Sequence, residues 1–380
     1  MPKTKEKTEK AQKKGKGKKV CLIIVIVLVV LAIVSAVFIE LTTKPVDENS
    51  DNFRPVGGMV TSENIDYKSD TTQGLEKNAV IKIMQMVWRF IADGDESRVE
   101  RQTPPENIKE FDDIYYIDDG NVYHKLDVYY PENTPEGTKL PVIIDIHGGG
   151  WLYGDKGINK YYCMELAKNG YVVFNMSYRL VPDVTVNEQL QDVFMALDWI
   201  KKNMANYPCD ENNVFLTGDS AGGQLCGYAT VLLNSPELRE TFDVVDPQLK
   251  INASLMTSPV AYMRDCGPLN LYTAVCWGSD YKSKPTADYM DFDKLLDEVE
   301  STDLPPIYLV TSSGDMMAHG QTNRAAKDLE DRGFVYQLDD YGKELDGKSQ
   351  PHVFAVIEPF EEAGQKCIEN EIAFFKANTK

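Results

Sequence analysis

The pattern of apolar and polar positions changes character along the chain. Residues 20–39, VCLIIVIVLVVLAIVSAVFI, are apolar on every face. Twenty such residues rising about 1.5 Å each give a length of about 30 Å, the thickness of a bilayer's hydrocarbon. A cleaved leader has a shorter apolar core and a small-residue cleavage site. Ser35-Ala36-Val37 is a poor one, so the run reads as an uncleaved transmembrane helix. Residues 40–72 are polar, broken by Pro and Gly, and without a period. They read as a linker.

Beyond residue 72 the pattern becomes that of a folded body. Leu75, Ala79, Val80, Ile83, Met84, Val87 and Ile91 recur at helical spacing and predict an amphipathic helix over 75–93. Short apolar runs bounded by turn residues predict strands at 121–130, 141–147, 171–177, 214–217, 251–257, 306–311 and 335–338. Helices are predicted at 187–205, 221–233, 320–332 and 359–376. After the first strands, strand and helix alternate. That order predicts an α/β fold, a mostly parallel sheet flanked by helices on both faces. Residues 259–300 interrupt the alternation at the strand ends, where such sheets carry their sites. The expected organisation is a basic tail at 1–19, a transmembrane helix at 20–39, a linker at 40–72 and one α/β domain at 73–380.

Charge sharpens this. The formal net charge is −19, but residues 1–19 hold nine lysines against Glu6 and Glu9. The rest of the chain is left with 31 basic and 57 acidic residues. So acidic a body excludes nucleic acid as a partner, because phosphate binding needs a basic face. Lysines before the apolar run hold that end in the cytoplasm, which places the body on the extracytoplasmic side of a cell membrane. Seven cysteines occur without metal-site spacing, and they read as free thiols with no metal site. The sequons at Asn175 and Asn252 fall in strand-like runs and read as chance matches.

The chemistry lies in a few short motifs. Gly218-Asp219-Ser220-Ala221-Gly222-Gly223 matches G-x-S-x-G with a strand before it and a helix after it. That context lifts a serine hydroxyl out of a tight turn as a nucleophile. His147-Gly148-Gly149-Gly150-Trp151 also follows a strand. Its glycines let backbone N–H groups approach a developing oxyanion, and Gly148, Gly149 and Ala221 are the expected donors. Of the four histidines, 124, 147, 319 and 352, His352 stands after the last strand and before the last helix, the place for a general base. Asp315, behind Gly314 after the penultimate strand, is the expected acid. The order Ser220, Asp315, His352 is that of α/β-hydrolases. Trp151, Tyr153 and Asp219 are read as bordering the substrate pocket.

Taken together, HGGGW, YRL, GDSAGG, GD and the late His resemble the hormone-sensitive-lipase-like bacterial esterases of α/β-hydrolase fold-3, over residues 110–380. The resemblance implies a serine carboxylesterase that hydrolyses short-chain acyl esters such as acetyl esters through an acyl-enzyme, without a cofactor. It also implies a cap over the site, and residues 75–110 and 259–300 are similar to its elements. The sequence departs from the family at Met316-Met317-Ala318-His319, where members often carry Pro-Leu-x-Asp, and in a longer loop before His352. Two alternatives stay open: an amidase or peptidase of related fold, and a non-catalytic adhesion or scaffold protein built on a hydrolase fold.

Overall fold

The computed structural model describes residues 31–50, 53–72, 75–264 and 270–380. The chain divides into two units, Met1–Lys44 and Pro45–Lys380. In the first, residues 31–42 are helical, while residues 20–30 of the expected span lie outside the described residues. Among the described residues no helix is long and apolar enough to cross a membrane.

In the second unit, eight strands among the described residues form one sheet. They are β1 (Ile108–Tyr115), β2 (Lys125–Pro131), β3 (Leu140–Ile146), β4 (Val172–Met176), β5 (Cys209–Asp219), β6 (Ala253–Thr257), β7 (Ile307–Ser312) and β8 (Tyr336–Tyr341). Their spatial order is β8-β7-β6-β5-β3-β4-β2-β1. From β8 to β4 every pairing is parallel, while β2 pairs antiparallel with both β4 and β1. The helices are α1 (Ala79–Arg101), α2 (Lys160–Lys168), α3 (Val186–Asn203), α4 (Ser220–Leu232), α5 (Pro236–Phe242), α6 (Asn270–Cys276), α7 (Phe292–Leu296), α8 (His319–Asp331), α9 (Phe354–Ile357) and α10 (Glu362–Ala377).

The period of two along each strand builds two cores. Val142, Ile144 and Ile146 join a cluster with Leu190 and Val193 of α3 and Leu225 of α4. Ile143, Val173 and Phe215 join another with Leu166 of α2 and Ile372 and Phe375 of α10. Strands buried on both faces are apolar, which is why the sequence locates β3, β4, β6 and β7 well, while it finds only 214–217 of β5, whose Asp210, Glu211 and Asn212 are polar and partly exposed. α3 opens on a capping box, Thr185 and Glu188 satisfying each other's backbone N–H, and so starts where the pattern places it.

Three differences from the sequence reading have physical causes. The charged edge strand β1 (IKEFDDIY) carries a register shift between Phe111 and Ile114, which breaks the alternation that would reveal it. Helix α2 is buried from Tyr162 to Ala167 and so has no polar face to give it a period. The expected linker is largely folded: Val46–Asp47 pairs with Val60–Thr61, and Val56 and Met59 are buried against Ala92 and Tyr153. Two-residue strands are too short to leave a period in sequence.

Candidate active site

The register of the sheet sets the site. Ile146 pairs with Gly218, so the loop after β3 and the turn after β5 leave the sheet side by side. Ser220 occupies that turn at the head of α4 with φ +53°, a left-handed backbone that is costly for a non-glycine residue. The turn is possible because residue 222 lacks a side chain. A Cβ there would lie 2.1 Å from the Ile146 carbonyl oxygen.

Three sequence-predicted residues from three loops meet here. Ser220 Oγ lies 2.9 Å from His352 Nε2, and His352 Nδ1 lies 2.9 Å from Asp315 Oδ2. The other Asp315 oxygen accepts the N–H groups of Met317 and Ala318, each at 2.9 Å. Burial alone would raise the Asp315 carboxyl. Hydrogen bonding and charge from His352, with the Ala318 N–H, more than offset it and hold Asp315 below the usual carboxylate value. The base loop is tied to the acid loop by Ser312, whose hydroxyl donates to the Gln350 carbonyl. A serine hydroxyl, an imidazole and an ionised carboxylate in this chain can pass a proton from Oγ to Nε2 while the carboxylate fixes the tautomer.

The other histidines and acids are engaged elsewhere. Nδ1 of buried His147 donates to the Gly148 carbonyl, its ring stacks on Tyr178, and burial pushes its pKa down to about 4. His319 meets Asp340, and His124 meets Asp119. Asp339 accepts the hydroxyls of Tyr308 and Tyr341, and Asp346 accepts from Gln350.

The glycine loop corrects two expectations. The Gly148 N–H is donated to Asp219 Oδ1 at 2.9 Å, so it is not directed at an oxyanion. Asp219 is therefore not a pocket wall: it is buried, and it also accepts from Asn159 at 2.8 Å. Asn159 bridges in turn to Asp145 at 2.9 Å. Burial first, and the neighbouring Asp219 second, push Asp145 up to about 8. Gly149 has φ +107°, and a Cβ there would sit 1.9 Å from the Tyr153 carbonyl oxygen. Trp151 and Tyr153 are also buried and do not border open space. Trp151 donates its indole N–H to Gln224, and Tyr153 stacks on Trp88 and donates its hydroxyl to Asp95.

The two expected cap elements meet over this loop. A Cβ at Gly150 would collide with Trp88 of α1, and the Tyr272 hydroxyl of α6 donates to the Gly150 carbonyl. Sequence reasoning missed Asn159 and the Tyr178 hydroxyl, which donates to the His147 carbonyl at 2.7 Å. Asn159 stands in no motif that could have revealed it, while Tyr178 opens the YRL motif, which marks the residue but not the carbonyl its hydroxyl meets. The described cysteines, 163, 209, 226, 276 and 367, are free thiols. Cys21 and Cys266 lie outside the described residues.

A serine in a strained strand-to-helix turn of a mostly parallel sheet, with the acid after β7 and the histidine after β8, defines an α/β-hydrolase. The BD-FAE family model matches residues 126–325, just over half of the chain, and the chain belongs to that family, within the α/β-hydrolase fold-3 (hormone-sensitive-lipase-like) esterases. The structure is similar to that of esterase B from Lactobacillus Rhamnosis HN001, with a TM-score of 0.73 and 27% identity over 79% of this chain and 95% of that one. A second structure of esterase B, inhibited by a C4-C4 SN3 tributyrin phosphonate, gives a TM-score of 0.74 and 28% identity over 79% and 96%. Among curated relatives, esterase LipQ of Mycobacterium tuberculosis is 29% identical over 129 residues, 34% of this chain and 31% of that protein. The carboxylic ester hydrolase LipM of the same organism is 33% identical over 140 residues, 36% and 32%. The chain thus matches about a third of the length of these curated relatives.

Proposed function

We propose that this chain is a membrane-tethered serine carboxylesterase acting on short-chain acyl esters. The observation that carries the reading is the hydrogen-bonded chain Ser220–His352–Asp315 beside a glycine loop. Ser220 Oγ attacks the ester carbonyl carbon as its proton passes to His352 Nε2. Asp315 stabilises the imidazolium that forms. The N–H groups of Gly149 and Ala221, with Gly150 next in the turn, receive the oxyanion, and the N-terminus of α4 adds its dipole. The ester C–O bond then breaks, and His352 returns its proton to the leaving alcohol. Water attacks the acyl-enzyme by the same route, releasing the carboxylic acid and restoring Ser220.

Acyl groups from acetyl to butyryl are the proposed range. The C4-C4 SN3 tributyrin phosphonate that inhibits esterase B supports its butyryl end, and a C6-C4 SN3 ligand also inhibits that protein. Tethering rests on the uncharged run 20–39 and the nine lysines before it, and it places the catalytic unit on the extracytoplasmic side. The test is hydrolysis of p-nitrophenyl acetate, butyrate and decanoate by membranes holding the full chain or Ser220→Ala. Turnover of the short esters by the full chain alone supports the reading. A decanoate optimum refutes the chain-length part, and absence of turnover refutes the activity. Protease added to intact cells should shave the catalytic unit, and protection would reverse the topology.

A further inference from the structure

Helix α1 is apolar on two sides: Val80, Ile81, Met84 and Trp88 pack on the core, and a second set faces outward. Of the pattern that predicts the helix, Val80 and Met84 pack against the core while Ile83, Val87 and Ile91 do not; the residues the helix buries are Ile81, Gln85, Ala92 and Arg98. Ile83 is 46% exposed, Val87 38%, Ile91 40% and Phe90 55%. These fall at i, i+4, i+7 and i+8 and make one stripe. A surface helix of a water-soluble domain carries charged and polar residues on its outward side instead. Leu271 of α6, 73% exposed, shares with Val275 a groove of about 610 Å³ together with Leu75 and with Asn78, the N-cap of α1. Val245 and Val335, also exposed, precede β6 and β8 at the far end of the sheet and stand singly, as such residues commonly do.

Charge marks the same face. Between residues 77 and 92 there are three cations, Lys77, Lys82 and Arg89, and no acid, in a body that is otherwise strongly acidic. Lys82 and Arg89 are seven residues apart and lie on one flank of the stripe, where Arg89 also pairs with Asp93 at 3.8 Å. Apolar residues with cations at the border are the pattern of a helix lying in a membrane interface.

The path of the chain adds the third observation. The unit that holds the catalytic residues begins at Pro45, three residues after the helix over 31–42 ends. The segment that follows is laid along α1. Gln85 donates to the Gly57 carbonyl at 2.7 Å, Arg54 pairs with Asp93 and Glu96, and Val56 and Met59 pack with Ala92. The chain therefore enters the catalytic unit on the helix that carries the stripe.

We propose that the Ile83–Val87–Phe90–Ile91 face of α1 is a lipid-docking surface, seated at the headgroup and acyl boundary of the bilayer that anchors the chain. The proposal rests on the membrane tether proposed above. It lays the cap on the bilayer, so the site takes its ester from amphiphiles dissolved in that membrane as well as from solution.

The test uses the full chain reconstituted into vesicles of phosphatidylcholine and phosphatidylglycerol. Val87→Cys and Val245→Cys are labelled with an environment-sensitive fluorophore, and the signal of the similarly treated parent chain is subtracted. Flotation reports the anchor, and quenching by spin-labelled lipids reports docking. Both variants should float, with strong quenching at 87 and little at 245. Ile83→Glu should abolish quenching at 87 and leave flotation and hydrolysis of a soluble ester unchanged. It should also lower hydrolysis of a vesicle-embedded ester by at least about tenfold, as expected when an interfacial helix loses its apolar face. Flotation with equal quenching at 87 and 245 overturns the docking face and leaves the tether standing. Failure to float overturns the tether and this proposal with it. Shielding of 87 that needs no lipid and grows with protein concentration assigns the face to a second copy and overturns lipid docking.

Discussion

The backbone N–H of Gly148 points at the carboxylate of Asp219, 2.9 Å away, and so binds the glycine loop to the residue beside the nucleophile. Asp219 is thus a positioning residue. It holds the loop in which the next glycine, Gly149, has φ +107°.

Asp219→Ala should release that loop and lower kcat by about 10- to 100-fold, less than outright loss of an oxyanion donor, with little change in KM. Asp219→Asn keeps an acceptor for Gly148 and should retain most of the activity. Steady-state kinetics with melting curves for each variant check this. Equal kcat for Asp219→Ala and wild type contradicts the positioning role.

Asp315→Asn keeps the shape of the acid but can present a donor to His352 Nδ1 where an acceptor is needed. A kcat loss on the order of 10³- to 10⁴-fold is expected by analogy with the serine-protease triad. Asp339→Asn, Asp340→Asn and Asp346→Asn alter hydrogen bonds to tyrosines, to His319 and to Gln350, and should stay within about tenfold of wild type. An active Asp315→Asn beside a crippled Asp340→Asn would mean that the histidine takes its proton partner from β8.

Stability should fall as pH rises from acid to mildly alkaline conditions. Asp145 is held up to about 8 and Glu371 to about 7, burial being the first cause for both. In the unfolded chain such carboxyls ionise near about 4. Between those values the unfolded state loses protons that the folded state keeps, so folding weakens with pH until the folded groups also ionise. Asp315 behaves oppositely: its stabilisation is present above the unfolded value of about 3.9 and is lost only as pH falls through its lowered folded value. Asp145→Asn resembles the protonated acid and should flatten the decline in Tm between about pH 5 and pH 8.5. Identical slopes for variant and wild type would contradict a protonated Asp145.

The sheet strands β3, β4, β6 and β7, residues 214–217 of β5 and the loops holding Ser220, Asp315 and His352 were legible because burial on both sides leaves long apolar runs ended by glycine-rich turns. The oxyanion loop was legible as a motif but not in detail. That Gly148 serves Asp219 and not substrate depends on the register Ile146–Gly218, which no local pattern encodes. Trp151 and Tyr153 misled for a related reason. Aromatic residues beside a site look like pocket walls, yet here they fill the joint between the loop and the cap. Segment 45–61 was hidden because its order comes from contacts with α1 and Leu152, not from its own propensities. The apolar positions of α1 were read correctly as helical, but periodicity reports a face, not what the face meets.

The central claim, a Ser220 nucleophile activated by His352, is met most directly by treating the full chain with a fluorophosphonate and locating the adduct by peptide mass mapping. One phosphonyl group on Ser220, formed in the wild type and absent from both Ser220→Ala and a denatured sample, is the predicted result. An adduct on another residue, or an unmodified Ser220 in a chain that still hydrolyses esters, would contradict it.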